Sequence, residues 1–76
     1  MKERDARAVI SKRIKCKMNI LHINQRILSE RTGIPKQTIS RYLNGERKPT
    51  FDMIIKIATA LGCSTGDLLD LDEPLE

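Results

Sequence analysis

Few side chains in this sequence could do catalytic or metal chemistry, and they are not arranged for it. His22 is the one histidine and has no clustered ligands around it. Cys16 and Cys63 are too few and too far apart for a disulfide framework or a zinc knuckle, and read as small packing residues. No Gly-rich phosphate loop and no Ser/His/Asp set is visible. We therefore expect no enzyme, no metal and no cofactor. What remains is cationic chemistry, and it is unevenly spread. Residues 1–48 hold thirteen Lys/Arg against four acids, a net +9, whereas residues 49–76 hold one Lys against six acids, a net −5. A basic body with an acidic tail suits a polyanionic partner, although charge alone is equally compatible with a solvated surface.

The whole chain has 76 residues, enough for one domain. Its 39% hydrophobic and 32% charged residues exclude a disordered polyelectrolyte. No run approaches the ~18 apolar residues of a membrane span, and the charged N-terminus does not read as a signal peptide. A small cytoplasmic domain with an aliphatic core is expected, since Tyr42 and Phe51 are the aromatic complement.

Helical spacing and turn residues divide the chain. Val9, Ile10, Ile14 and Met18 form one stripe and predict a helix over about 6–18. Asn24 is an N-cap for a second helix carrying Ile27, Leu28 and Thr32 inward, and Gly33 supplies its left-handed exit. Pro35 opens a third helix, with Ile39, Tyr42 and Leu43 inward, that stops at Asn44–Gly45. Thr50 caps a fourth, striped by Met53, Ile54, Ile57, Ala58 and Leu61 and ended by Gly62. Ser64 and Asp67 form a capping box for a short fifth through Leu68, Leu69 and Leu71. The fold class is all-α: a single domain over 1–76, with a core of about 6–70 and an acidic tail at 71–76.

The second and third helices meet around a short turn containing Gly33, the helix-turn-helix arrangement, and small Ser29 permits a close crossing. The run Asn24–Gln25, Leu28–Ser29, Gly33–Ile34, Thr38 to Gly45 and Arg47–Lys48–Pro49 closely resembles the phage repressor/Cro-like (XRE-type) family. The likeness continues through Ile54 to Ala58, Ala60–Leu61–Gly62, Ser64 and Leu68–Leu69, over about residues 8–70. It implies a compact five-helix lambda-repressor-like domain that sets its third helix into the major groove of double-stranded DNA.

The resemblance also implies roles. Lys36, Gln37, Ser40 and Arg41 would read base edges: Gln37 suits adenine N6/N7, and Lys36 or Arg41 suits guanine O6/N7. Asn24, Gln25, Thr38, Asn44, Arg47 and Lys48 would bind phosphates. Lys12, Arg13, Lys15 and Lys17 read as a mainly solvated face with one or two members near DNA. Two departures from the family pattern stand out. Met18 and Leu43 occupy positions where many members have an Arg–Glu pair, so an apolar contact is expected. Pro35 replaces a Ser or Thr cap. The resemblance implies a transcriptional regulator, a homodimeric repressor on a palindromic operator. The acidic tail itself has two readings: Leu68 and Leu69 close the core with the tail charges in solvent, or Leu71 and Leu75 extend an apolar edge onto the second subunit, which is the reading favoured here. The rival readings are an antitoxin-like module that binds a protein partner and autoregulates, and a non-specific nucleic-acid binder.

Overall fold

The structure, a computed structural model, describes residues 6–69. They form five helices and no strand: α1 (Ala6–Leu21), α2 (Gln25–Thr32), α3 (Lys36–Leu43), α4 (Phe51–Leu61) and α5 (Thr65–Leu69). The all-α expectation is met element by element. Asn24 and Thr50 cap α2 and α4 through their side chains, accepting from the Ile27 and Met53 N–H groups at 2.9 and 3.3 Å. Ser64 and Asp67 close the capping box reciprocally, each side-chain oxygen accepting from the other residue's N–H at 3.2 Å.

One core serves all five helices. Ile10, Ile14 and Met18 of α1 meet Leu28 of α2, Ile39, Tyr42 and Leu43 of α3, Ile54, Ile57, Ala58 and Leu61 of α4, and Leu68 of α5. Met18 and Leu43 are both buried there, as expected of apolar residues replacing an ion pair. α1 packs on α3, α4 and α5, and α2 packs on α3 and α4. The partner of α3 across its last turn is α1: the buried Ser11 hydroxyl donates to the Leu43 carbonyl. Carbonyls in a helix's last turn have no intrahelical donor, and this bond supplies one for Leu43.

Three sequence expectations need correction or placement. α1 runs to Leu21, nearly a turn beyond Met18. It closes with His22 in the left-handed region at φ 57°, the His22 N–H donating to Asn19 O at 3.2 Å and the Ile23 N–H to Met18 O at 3.0 Å. This is a Schellman closure with histidine where glycine is usual. Cys16 is exposed, not a packing residue; it lies two positions from buried Ile14, about 200° around the helix and so on the outer face. Cys63 is half-buried and packs against the core as expected. Leu71 and Leu75, with the rest of the acidic tail, lie outside the described residues.

Candidate nucleic-acid interface

The angle between α2 and α3 is set by a hydrogen-bonded turn. Gly33, in the left-handed region at φ 77°, donates its N–H to Ser29 O at 2.8 Å and ends α2. Ile34 is buried, and both of its backbone groups are taken up locally. Its N–H donates to Thr32 Oγ1 at 3.1 Å, and its carbonyl accepts from Ser29 Oγ at 2.6 Å. Thr32 Oγ1 in turn donates to Leu28 O at 2.8 Å. Ser29 was expected to matter for its size; it also carries a hydrogen bond. Thr32, expected inward, is the hinge of the turn, a role its helical spacing could not reveal but its hydroxyl, next to a C-terminal Gly, suggests.

α3 leaves this turn with Pro35 as its N-cap at φ −57°, ψ 142°, and no side-chain cap bond, as the replacement of Ser or Thr implies. Ile39, Tyr42 and Leu43 are buried. On the other side Lys36, Gln37 and Arg41 are exposed, with Ser40 half-buried at the edge of that surface. Gln37, Arg41 and Asn44 follow at i, i+4 and i+7, so they share one face. The four residues predicted to read bases therefore stand together along the outside of α3.

The residues predicted to hold phosphates fall at its two ends. Asn24 is exposed at the head of α2, with half-buried Gln25 beside it. The cap bond occupies the Asn24 carbonyl oxygen, which leaves its amide NH2 as the group that can donate. Thr38 is half-buried in the first turn of α3. At the far end Asn44 is exposed and closes α3, its N–H on Ser40 O at 3.0 Å. Gly45 and Glu46 complete another Schellman closure through Tyr42 O and Arg41 O. Arg47 and Lys48 are exposed in the loop that follows, before buried Pro49. The arrangement is a row of hydrogen-bonding side chains flanked by two groups of amide and cationic donors. Such a row can read base edges between two backbone contacts.

Among the described residues no group of three His, Cys, Asp or Glu is placed to hold a metal ion, and no helix is long and apolar enough to cross a membrane.

A family model described as helix-turn-helix (HTH_3) matches residues 14–68. No curated protein matches the chain by sequence. Among solved structures, a hypothetical transcription factor (NHTF) from Neisseria is similar at TM-score 0.84 and 25% identity, over 91% of this chain and 79% of that one. The restriction-modification controller protein C.AhdI from Aeromonas hydrophila aligns at TM-score 0.78 and 21% identity, covering 82% of this chain and 94% of its own. An HTH_3-family transcriptional regulator from Vibrio cholerae aligns at TM-score 0.81 and 22% identity, over 91% of this chain but 40% of that protein.

Proposed function

We propose, on the premise that this chain belongs to the XRE-type helix-turn-helix (HTH_3) family of DNA-binding transcriptional regulators, that it is a homodimeric repressor. It acts on a two-fold symmetric operator as a single domain spanning residues 1–76. The observation carrying this reading is the two-sided character of α3. Its apolar side is locked into the core, and its polar side presents Lys36, Gln37, Ser40 and Arg41 in one row. Bases are read by that row, with Gln37 on adenine and Lys36 or Arg41 on guanine. Asn24, Gln25 and Thr38 hold the backbone at one end, and Asn44, Arg47 and Lys48 hold it at the other. The protein binds and occludes DNA in the cytoplasm and catalyses nothing.

Dimerisation follows from the contacts a specific complex needs, since a single small module covers only about 600–1,000 Å². The second copy has a surface to meet. Phe51 and Ile55 are 63% and 41% exposed and lie one turn apart on α4. Half-buried Leu69 lines a cleft with Phe51, two residues before the tail leucine Leu71. Sedimentation of wild type and Phe51→Ser checks this part: the variant is expected to be monomeric and to lose operator affinity, and an unchanged dimer would rule this face out.

In vitro selection from random duplex DNA tests the whole reading. Recovery of a symmetric motif with half-sites about 10 base pairs or a multiple apart is expected. Enrichment of no motif would refute sequence-specific reading by α3. Co-purification of a stoichiometric protein that blocks DNA binding would favour the antitoxin-like alternative.

A further inference from the structure

The cations of α1 have one member pair that the fold brings to the end of the recognition helix. Lys12 and Lys15, at i and i+3 on one face of α1, line a cleft whose opposite wall is the Asn44–Gly45 turn. Ser11 lies between them and α3, its hydroxyl on the Leu43 carbonyl, so the lysines are held in register with that turn. None of the described residues lining the cleft is acidic, and Glu46, the next residue along, is not among them. Asn44 is on the same face of α3 as Gln37 and Arg41, which makes the cleft continuous with the row of candidate base readers.

We propose that Lys12, Lys15 and the Asn44 side-chain amide form an additional seat for a DNA phosphate, beyond the loop contacts of Arg47 and Lys48. The inference rests on the DNA-binding reading above. Three features favour a phosphodiester: two ammonium groups on a fixed helix face, an amide donor opposite, and the absence of a carboxylate among the described lining residues. Gly45 contributes shape and no donor, since its N–H is already bonded to Tyr42 O at 3.1 Å. A competing role for the lysines is purely structural, because the carbonyl end of α3 carries partial negative charge that nearby cations offset.

The two roles separate in salt dependence. Each phosphate contact contributes about 0.9 to the slope of log K against log salt. The full-length Lys12→Gln/Lys15→Gln variant is titrated against a duplex of about 20 base pairs recovered by the selection. Its slope is expected to be shallower than that of wild type by about 0.9, so that its affinity deficit shrinks about 3.5-fold between 50 and 200 mM salt. Its ranking of half-site base substitutions should be that of wild type. A variant with the wild-type slope and a lowered Tm would overturn the seat in favour of the structural role. Lys48→Ala is the reference. If it reduces the slope and the α1 variant does not, the seat alone fails; if neither does, the DNA-binding geometry itself fails. A third outcome is that removing residues 71–76 strengthens DNA binding of wild type but not of the α1 variant. That would assign the cleft to the acidic tail and overturn the proposal.

Discussion

Replacing Ser11 by Ala should show how firmly the recognition helix is anchored to α1. The Ser11 hydroxyl is buried and donates to the carbonyl of Leu43, 32 positions away in sequence. Alanine removes the donor and leaves a carbonyl in the last turn of α3 without one. Leaving a buried acceptor unsatisfied costs about 1–3 kcal/mol. Ser11 and Leu43 also line the cleft beside Lys12, so water can reach the carbonyl and take over part of the bond. The lower part of the range, about 1–2 kcal/mol, is therefore expected. A domain of this size has roughly 4–11 kcal/mol of stability in total. The loss should lower Tm by about 4–16 °C, at about 4–8 °C per kcal/mol. Thermal melts followed by far-ultraviolet circular dichroism measure the shift. Urea titration checks that the m-value is unchanged, so that stability rather than compactness has altered. An unchanged Tm together with an unchanged urea midpoint would mean that the bond contributes nothing and that apolar packing alone sets α3 on α1.

Other substitutions probe the turn, the readout and the thiols. Gly33→Ala should destabilise the domain by about 1–2 kcal/mol in urea titration, because a Cβ is disfavoured at a left-handed φ. Its space is open, so backbone strain and not a clash would be the cause. Arg41→Ala should lose about 1–3 kcal/mol of discrimination at one base pair of each half-site, read by competition with substituted duplexes. Equal weakening on every sequence would move Arg41 to the phosphate contacts. Iodoacetamide should modify exposed Cys16 well before half-buried Cys63. Burial raises the Cys63 thiol above its ordinary pKa, the nearby Lys17 lowers it and Asp67 raises it further, with burial the largest effect. Ionisation is thus favoured in the unfolded chain, and whatever stability the neutral Cys63 thiol contributes is lost as pH rises through its folded pKa. Wild type should accordingly lose more stability in the alkaline range than Cys63→Ser, and parallel pH profiles would contradict this.

Most of the fold was legible in the sequence because its punctuation is chemically explicit. Asn24, Thr50 and the Ser64–Asp67 pair announce helix starts through their acceptors, and Gly33 and Gly62 announce ends. The end of α1 was not legible, since a histidine adopts the conformation that glycine usually signals. Periodicity placed Ile10, Ile14 and Met18 of α1 in the core; Cys16 and Cys63 were both assigned by residue type, which holds for Cys63 but says nothing about the face that Cys16 occupies. The exposed row on α3 proposed to read bases follows from its inward residues Ile39, Tyr42 and Leu43, because whatever they exclude must face out. The Ser11–Leu43 bond and the cleft beside it were beyond reach, as they join residues far apart in sequence that carry no pairing signal of their own.

The packing of α1 against α5 has a consequence for how the protein comes into being. Ile10 and Ile14, near the start of the described chain, share their core with Leu68, near its end. Contacts of such separation carry the largest loop-closure entropy in the molecule, so they are natural candidates for the last to form. During synthesis the α2–α3 unit can emerge with its turn bonded, yet the floor that supports α3 stays open until the final turn of α5 has left the ribosome. A nascent chain stalled before Leu68 would expose the apolar stripe of α1 and be vulnerable to association or proteolysis. A regulator assembled in this order acquires its rigid α3 surface only once α5 has emerged.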